Sequence, residues 1–460
     1  MTDLSKISNV HCIGIGGIGL SAIAEILIKR GYKVTGSDIK ETKLTEHLEN
    51  LGAIIYYGHR AENVENAEML IYSSAVYSEN PEMIRAKELN IPTRSRAEIL
   101  GELMEGYKNS VAICGTHGKT TTTSMVSLIV KKALLNPTIL VGGDLSEIKG
   151  NVEVGNSEYF VTEACEYMDS FLNLKPEIGV ILNIDSDHLD YFKDIDHIVR
   201  SFKQFANKVK KDGVIVAYVN NPFVKEATDG KSNVLTFGYG DDCNYSARNI
   251  KFDDNGNSEF EIYVNNENEG KINLKIPGEH NILNALAAYA TCDYLKIDKD
   301  IIAKTLSGFM GIHRRFDIIG KTAKGFEVID DYAHHPTEIK ATLSAIGNMK
   351  HEKLWCIFQP HTYTRTLALL EEFITAFDGT DNLIIPEIYA AREKNIYKIT
   401  SKNLVEKIKE RYPDKDVIFM EDFDDIAKLI YGRAGKGDLV LTMGAGDVYK
   451  IGQKIMEIEA

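Results

Sequence analysis

The stretch "AICGTHGKTTTTSMV", residues 112–126, leads apolar residues into a Gly-Lys-Thr turn and then into a segment compatible with a helix. A strand, a glycine-containing loop and a helix in this order are typical of a phosphate-binding loop. The common spacing G-x-x-x-x-G-K-[ST] is absent, because Ile113 stands where the first glycine would be and Gly115 comes two residues later. For this stretch alone, a glycine turn that caps a helix without any ligand remains the alternative.

The residue types of the loop nevertheless suit a nucleoside triphosphate. Gly115 and Gly118 can offer backbone N–H groups to phosphate oxygens. Lys119 can reach the β- and γ-phosphates, and the Thr120 hydroxyl can bind Mg²⁺. The helix predicted to begin here directs the positive end of its dipole at the phosphates. We therefore expect a nucleotide site at this loop.

A second glycine-rich loop lies at 14–19, where "GIGGIG" satisfies G-x-G-x-x-G between a predicted strand and a predicted helix. Asp38 follows 19 residues after Gly19, at the end of the next predicted strand. Such a loop binds a diphosphate, and the carboxylate accepts a hydrogen bond from a ribose hydroxyl. Both features fit NAD and fit a UDP-linked molecule equally well. A tight turn with no ligand is the remaining alternative.

Acidic and histidine side chains occur at the predicted ends of two further strands. Glu163 ends "FVTE" and Glu166 follows it, while Asp187, His188 and Asp190 come just after "VILNI". Ligands of open α/β sheets bind at the carboxyl ends of strands, so these side chains are expected to lie together. Carboxylate and imidazole groups there could hold Mg²⁺ between two substrates. For His188 alone, a solvated loop histidine is the simpler interpretation.

The whole-chain composition narrows the class of protein. The 460 residues predict two or three domains, and 44% hydrophobic with 26% charged residues is typical of a soluble globular protein. A net charge of −14 argues against a nucleic-acid binder. Six scattered cysteines without metal-ligand spacing predict reduced thiols, and no apolar run reaches 18 residues. We therefore expect a cytoplasmic protein that neither spans a membrane nor binds nucleic acid.

The order of predicted elements indicates three α/β units, each with a largely parallel sheet. The pattern of alternating strands and helices restarts near 107 and again near 315, which predicts domains 1–107, 108–315 and 316–460. The first and third read as Rossmann-like domains and the second as a P-loop-type ATPase domain. Residues 243–276 alternate apolar and polar residues around Asn and Gly turns, which predicts a small antiparallel insertion beside the central sheet.

Several motifs, in order along essentially the whole chain, resemble the ATP-dependent Mur ligases, which build the peptide of bacterial cell-wall precursors. "GTHGKTTT" is similar to the family's phosphate loop, and "NIDSDHLDYF" resembles its second metal-binding stretch. "PGEHNILNALAA" (277–288) resembles its adenine-binding helix, and "HRRFD" (313–317) resembles the hinge into the third domain. "DDYAHHPTEI" (330–339) and "QPHTYTRT" (359–366) resemble motifs of that third domain.

The resemblance implies a role for each matching residue. For catalysis it implies Lys119, Glu163, His188 and Arg315, with Thr120, Glu163 and His188 as metal ligands and Glu166 as the alternative carboxylate. For ATP it implies Gly115, Thr116, Gly118, Lys119, Thr120, Thr121, Asn281, Asn284, Arg315 and Asp331. For the UDP-sugar it implies Gly14, Gly16, Gly17, Ile18, Gly19, Asp38, Ser73, Ser74 and His117. For the amino acid it implies Tyr332, His334, His361 and Arg365.

The resemblance also implies the reaction. It implies a monomeric or homodimeric enzyme that uses ATP and Mg²⁺, or Mn²⁺ in its place, to join L-alanine to the lactyl carboxylate of UDP-N-acetylmuramic acid (UDP-MurNAc) through an acyl phosphate. The alternatives are a related ligase for another amino acid or for a recycled tripeptide, an NAD-dependent oxidoreductase, and a non-catalytic nucleotide-binding protein.

Two positions depart from patterns within the family. Phe202 stands where several sister ligases carry a carbamylated lysine, with Lys203 one place out of register, as the resemblance to an alanine-adding member implies. Thr362 stands where some members have an arginine, so His361 and Arg365 are left to hold the alanine.

Overall fold

Three sheets follow one another along the chain in the computed structural model, which describes residues 4–73 and 75–458. They confirm the predicted class of three α/β units with largely parallel sheets. The units are called N-terminal, central and C-terminal below. No helix among the described residues has both the length and the apolar character needed to cross a membrane.

The N-terminal unit contains a five-stranded sheet in the order β3-β2-β1-β4-β5, and every strand pair in it is parallel. This order places the glycine loop after β1 at the centre of the sheet, where the chain crosses from one side to the other. The strands are β1 (Asn9–Ile13), β2 (Lys33–Asp38), β3 (Ile54–Tyr57), β4 (Met69–Tyr72) and β5 (Thr93–Ser95), and the helices are α1 (Ile18–Lys29), α2 (Lys43–Asn50), α3 (Pro81–Glu88) and α4 (Arg96–Glu105).

The central unit contains ten strands in the order β15-β14-β13-β12-β11-β10-β6-β9-β7-β8. The predicted antiparallel insertion is present as β13, β14 and β15, and a further antiparallel strand, β8, closes the other edge. The strands are β6 (Asn109–Cys114), β7 (Thr138–Leu145), β8 (Gly150–Glu153), β9 (Tyr159–Glu163), β10 (Ile178–Ile181), β11 (Val214–Tyr218), β12 (Val234–Gly238), β13 (Tyr245–Phe252), β14 (Ser258–Val264) and β15 (Glu267–Leu274). The helices are α5 (Lys119–Lys132), α6 (Ile195–Lys208), α7 (Pro222–Ala227), α8 (Glu279–Tyr294) and α9 (Lys299–Ser307).

The C-terminal unit contains six strands in the order β16-β17-β21-β18-β19-β20. Five of them form a parallel sheet, and the sixth, β16, is an antiparallel edge strand that the sequence pattern did not predict. The strands are β16 (Asp317–Lys321), β17 (Glu327–Asp331), β18 (Leu354–Phe358), β19 (Asn382–Ile385), β20 (Asp416–Phe419) and β21 (Leu439–Met443). The helices are α10 (Pro336–Gly347), α11 (Tyr363–Ala368), α12 (Leu370–Ile374), α13 (Ser401–Arg411), α14 (Phe423–Arg433) and α15 (Tyr449–Glu457).

The N-terminal and central units share a hydrophobic core. Ile23 and Met104 belong to the same buried cluster as Phe171 and Phe202 of the central unit. Gly101 in α4 allows this close approach, because a Cβ there would lie 2.2 Å from the Asn173 carbonyl oxygen.

Candidate active site

The loop between β6 and α5 has the backbone that a phosphate-binding loop requires. Gly115 and Gly118 have φ angles of 143° and 84°, in the region that favours glycine. A Cβ on Gly118 would lie 2.4 Å from Asn284 Oδ1, and one on Gly115 would lie 2.9 Å from the Leu182 side chain. The two glycines therefore leave the backbone before the first turn of α5 without side chains. This backbone lies at the carboxyl ends of the parallel strands β6 and β10.

Lys119 folds back over this loop. Its Nζ donates to the Gly115 carbonyl at 2.5 Å, to the Thr116 carbonyl at 3.0 Å and to Glu166 Oε1 at 2.9 Å. Burial lowers the pKa of Lys119, but the Glu166 carboxylate outweighs it and the net pKa is raised, so the ammonium stays charged. A cation held at the loop in this way can meet phosphate charge without rearrangement of the backbone.

Glu166 connects the lysine to His188. Its carboxylate is almost fully buried, Oε2 has no hydrogen-bond partner, and Oε1 lies 3.7 Å from His188 Nε2. An orphaned buried carboxylate oxygen beside an imidazole is a donor set that fits a divalent cation.

Glu163 and Thr120 lie together at a different position. Glu163 Oε1 accepts a hydrogen bond from Gly142 N at 2.7 Å, and a Cβ on Gly143 would lie 3.2 Å from Thr120 Cγ2. The three predicted metal ligands thus fall into two places: Glu163 and Thr120 face the neighbouring glycines Gly142 and Gly143 of β7, Thr120 through its methyl group, and His188 lies with Glu166 beside Lys119. Oxygen donors at the first place also suit Mg²⁺.

A first cavity of about 400 Å³ opens between the central and C-terminal units. Predicted nucleotide residues from both units line it: Gly118, Thr121, Asn281, Asn284, Arg315 and Asp331. Asn281 and Asn284 are held in a chain, since Asn284 Nδ2 donates to Asn281 Oδ1 at 3.0 Å and Asn281 Nδ2 donates to the Pro277 carbonyl at 2.7 Å. Gly115, Thr116, Lys119 and Thr120 lie deeper in the loop and do not line this cavity.

Asp331 is the last residue of β17, and its carboxylate interacts with the charge of Arg315. Its carboxylate accepts from Ala333 N at 2.7 Å and from Phe316 N at 2.8 Å. Burial raises the pKa of Asp331 to about 6, against the opposing charge of Arg315. A perturbed carboxyl group that faces a cavity is typical of a functional site.

The structure places His117 in the first cavity. The resemblance implied contact with the UDP-sugar, but the imidazole lines the first cavity together with Asp185 and Glu338, at 3.2 Å from each carboxylate. Burial lowers its pKa, yet the hydrogen bonds to the two carboxylates outweigh burial and raise the pKa to about 9. The His335 ring lies 4.9 Å from the His117 ring. In the described part of the chain, His117, Asp185 and His335 are the one group of three His, Cys, Asp or Glu residues whose ligand atoms lie within 4.8 Å of one another.

A second cavity, of about 340 Å³, lies between the N-terminal and central units. Gly17, Ile18, Gly19 and Ser73 line it, and Ser74 lies outside the described residues. Asp38 does not face it: its Oδ2 accepts from Gly16 N at 2.8 Å and so stabilises the turn itself. Gly14 also acts within the turn, because its φ of 76° and its contact with Ser73 leave no room for a side chain.

A third cavity, of about 500 Å³, brings all three units together. Tyr77, Tyr167 and His188 contribute to it, and the predicted His361 and Arg365 line the opposite wall. Arg365 donates to Asp187 Oδ1 at 3.1 Å and to the His361 carbonyl at 2.7 Å.

Tyr332 and His334 lie behind this wall rather than in it. The His334 ring is 5.9 Å from the His361 ring, and the Tyr332 ring is 4.9 Å from the Arg315 guanidinium carbon. Burial lowers the pKa of His334 to about 3 and that of His361 to about 4, with Arg365 acting in the same direction. Both imidazoles are therefore neutral at pH 7.

Sequence reasoning missed several residues of these cavities: Arg96, Asp185, Glu338, Arg392 and Glu393. Arg96 lies over the start of α1, since a Cβ on Gly19 would be 3.2 Å from its Nη1. Its position as the first residue of α4, directly after β5, was the one local signal available. Asp185 and Glu338 lie within the motifs "NIDSDHLDYF" and "DDYAHHPTEI" but were given no role there, whereas Arg392 and Glu393 lie in none of the quoted motifs.

Comparison with known proteins extends over the whole chain. Family models match residues 9–108 (Mur ligase family, catalytic domain), 113–292 (Mur ligase middle domain) and 314–446 (Mur ligase, glutamate ligase domain). A UDP-N-acetylmuramate–L-alanine ligase of Alkaliphilus metalliredigens is 48% identical over 455 residues, which is 99% of this chain and 98% of that protein. The corresponding ligase of Clostridium beijerinckii is 48% identical over 453 residues, 98% of each chain.

Solved structures agree with this comparison. The crystal structure of a UDP-N-acetylmuramate–alanine ligase from Thermotoga maritima superposes with a TM-score of 0.82 at 30% identity, covering 98% of this chain and 99% of that one. A murein peptide ligase from Psychrobacter arcticus gives a TM-score of 0.72 at 24% identity, covering 98% of each chain, and shows a common fold.

Proposed function

The chain belongs to the Mur ligase family, and from this membership we propose that it joins L-alanine to the lactyl carboxylate of UDP-MurNAc with conversion of ATP to ADP and phosphate. The observation that carries the proposal is the 48% identity, over 99% of the chain, to a relative that is named for this reaction. The presence of three cavities at the junctions between the units supports it, because the reaction has three substrates.

The second cavity is proposed for UDP-MurNAc. The N-terminus of α1 at Gly17 and Ile18 attracts the diphosphate, and the Arg96 guanidinium beside Gly19 adds a charge-assisted partner. Asp38 acts there by holding the Gly16 turn, so its contribution to binding is indirect. The cavity extends to Glu163, and we place the lactyl end of the sugar on that side.

The first cavity is proposed for ATP. Its wall of Asn281, Asn284 and Asp331 offers polar partners for adenosine, and Gly118 places the start of α5 next to them. Arg315 in the cavity wall and Lys119 in the loop then neutralise the charge of the phosphates. Positioning and charge neutralisation are the main demands of phosphoryl transfer.

The chemistry proceeds in two steps. The lactyl carboxylate attacks the γ-phosphorus of ATP, the bond to the β-γ bridging oxygen breaks, and an acyl phosphate and ADP result. The amine of alanine attacks the acyl carbon, loses a proton, and expels inorganic phosphate as the amide forms. The ammonium of Lys119 stabilises charge on the transferred phosphoryl group in both steps.

We propose that Mg²⁺ is held at two places, by Thr120 with Glu163 and by His188 with Glu166. The ion supplies charge neutralisation to the phosphoryl oxygens. The unpartnered Oε2 of Glu166 supports the second place, where we propose Glu166 as a ligand in addition to Glu163.

The third cavity is proposed for L-alanine. His361 and, behind it, His334 are neutral, so neither imidazole repels the amino group of alanine by charge. The cavity reaches His188, so the amine is presented toward the side on which the acyl phosphate forms.

A substrate panel tests the proposal. Purified protein with Mg·ATP is given UDP-MurNAc or its peptide forms, each with L-alanine, glycine, L-serine or D-glutamate, and released phosphate is measured. We expect release to require UDP-MurNAc together with L-alanine. Release with the peptide forms, or with D-glutamate alone among the amino acids, would assign the chain to a different ligase of the family. Binding of NADH without any phosphate release would favour an oxidoreductase.

A further inference from the structure

Arg392 occupies the junction of two substrate cavities. It follows β19 in the loop before α13, and alone among the described residues it lines both the second and the third cavity. The cavity proposed for UDP-MurNAc and the cavity proposed for L-alanine therefore meet at Arg392. No short motif marks this residue, and the proposed reaction above gives it no role.

Arg365, the other arginine of the third cavity, is already paired with Asp187. Arg365 donates from Nε to Asp187 Oδ1 at 3.1 Å and from Nη1 to the His361 carbonyl at 2.7 Å. Both residues are nearly buried, which makes this pair a fixed part of the wall. In the described part of the chain, the side chain of Arg392 has no ion pair and no hydrogen bond, and it is solvent-exposed.

The wall of the third cavity is otherwise acidic. Besides Asp187, it contains Asp190, which accepts from the Tyr167 hydroxyl at 2.8 Å, and Glu393, which accepts from Thr364 N at 2.9 Å and from the Thr362 hydroxyl. Burial raises the pKa of Glu393, but these hydrogen bonds outweigh it and the net pKa is lowered, so the carboxylate is ionised at neutral pH. Without Arg392, three carboxylates face one arginine, and a further carboxylate entering the cavity would be repelled.

We propose that Arg392 binds the α-carboxylate of the incoming amino acid, a role that rests on the proposed function. Guanidinium and carboxylate form paired, charge-assisted hydrogen bonds, which fix the orientation of a small ligand as well as binding it. The amino group of alanine is only two bonds from its carboxylate carbon, so a carboxylate held at the junction presents the amine to the second cavity. Thr362 is neutral and its hydroxyl donates to Glu393, so it does not provide a positive charge for the carboxylate.

The test is a comparison of Michaelis constants in the full-length protein. In Arg392→Gln, we expect the KM for L-alanine to rise about 10- to 100-fold, since a hydrogen bond between charged groups is lost. The KM values for ATP and for UDP-MurNAc should stay within about twofold of wild type, because the guanidinium is assigned to the α-carboxylate of alanine, although Arg392 also lines the second cavity. Arg392→Lys should recover part of the loss, as lysine keeps the charge without the planar fork. Lys394→Gln is the matched control, because Lys394 is exposed on the same loop and lines neither cavity.

L-Alaninamide separates a carboxylate contact from a general disturbance of the loop. The amide lacks the anionic group, so its KM, or its inhibition constant against L-alanine, should be the same in wild type and in Arg392→Gln. An equal loss for L-alanine and the amide would overturn the proposal, as would an unchanged KM for L-alanine. If only the KM for UDP-MurNAc rises, Arg392 binds UDP-MurNAc rather than the α-carboxylate of alanine. Failure of the wild-type protein to release phosphate with L-alanine would contradict the proposed function itself. The activity of the wild-type protein is therefore measured before that of any variant.

Discussion

The imidazole of His117, in the phosphate loop, lies 3.2 Å from the carboxylate of Glu338, which is 221 residues further along the chain in α10. On its other side, the same ring lies 3.2 Å from Asp185. The position of the phosphate loop is thus coupled to the C-terminal unit by a charge pair. Such a pair can hold the first cavity in the shape that its lining residues require.

This pair predicts a dependence of stability on pH. The pKa of His117 is raised from 6.5 to about 9, so its contribution is complete below pH 6.5 and is lost as pH rises through 9. The whole contribution is on the order of 3 kcal/mol, and we expect Glu338→Gln to remove about 1–2 kcal/mol of it near pH 6.5. The difference in thermal unfolding midpoint between wild type and Glu338→Gln should therefore shrink between pH 6.5 and 9.5. A difference that stays constant over that range would show that His117 is not charged at neutral pH.

Replacement of Glu166 and replacement of Glu163 should differ in their effects on stability. Glu166→Gln leaves Lys119 buried without its partner, which destabilises a protein by about 3–5 kcal/mol. Glu163→Gln keeps an acceptor for Gly142 N, so stability should change by less than about 0.5 kcal/mol. Both variants should need more Mg²⁺ for half-maximal phosphate release, because each removes an anionic ligand. Thermal unfolding and a Mg²⁺ titration of activity measure the two effects, and an unchanged Mg²⁺ requirement in either variant would remove that residue from the metal site.

The sequence was informative wherever the signal is local. Both glycine loops, the three α/β units and the antiparallel ribbon at 243–276 follow from patterns within about 35 residues, and the structure contains them. The edge strand β16 was missed because it pairs antiparallel with β17 and carries no apolar run of its own.

The parts of the site that the sequence did not predict depend on contacts between units. His117 was assigned to the sugar because its neighbours in the chain say nothing of Glu338, which lies in another unit. Asp38 was expected to face a ribose, since the pattern places it at the loop but does not give the direction of its side chain. Arg392 has no motif at all, and only the meeting of two cavities reveals it.

Gly118 should not tolerate a side chain. Its φ of 84° strains any other residue, and a Cβ would lie 2.4 Å from Asn284 Oδ1 in the wall of the first cavity. We expect Gly118→Ala to raise the KM for ATP at least about tenfold, while the KM for UDP-MurNAc is unchanged. Gly432→Ala is the matched control, because Gly432 lies in α14 with open space around its Cβ position and should gain about 0.5–1 kcal/mol of stability. An unchanged KM for ATP in Gly118→Ala would mean that the nucleotide does not contact this wall.

Lys119 provides the strictest test of the ligase mechanism. Its ammonium is held by two loop carbonyls and by Glu166, in the place where phosphoryl charge must be stabilised. Removal of one such group from a preorganised site slows catalysis by about 10²–10³-fold, and we expect at least this loss of phosphate release in Lys119→Ala with all three substrates present. Lys119→Arg should not restore the rate, because the larger planar group does not fit the lysine's position between those carbonyls. Lys132→Ala, on the exposed end of α5, should release phosphate at the wild-type rate. Thermal unfolding of each variant shows whether it is folded, and a folded Lys119→Ala protein that retains most of the wild-type rate would contradict the mechanism.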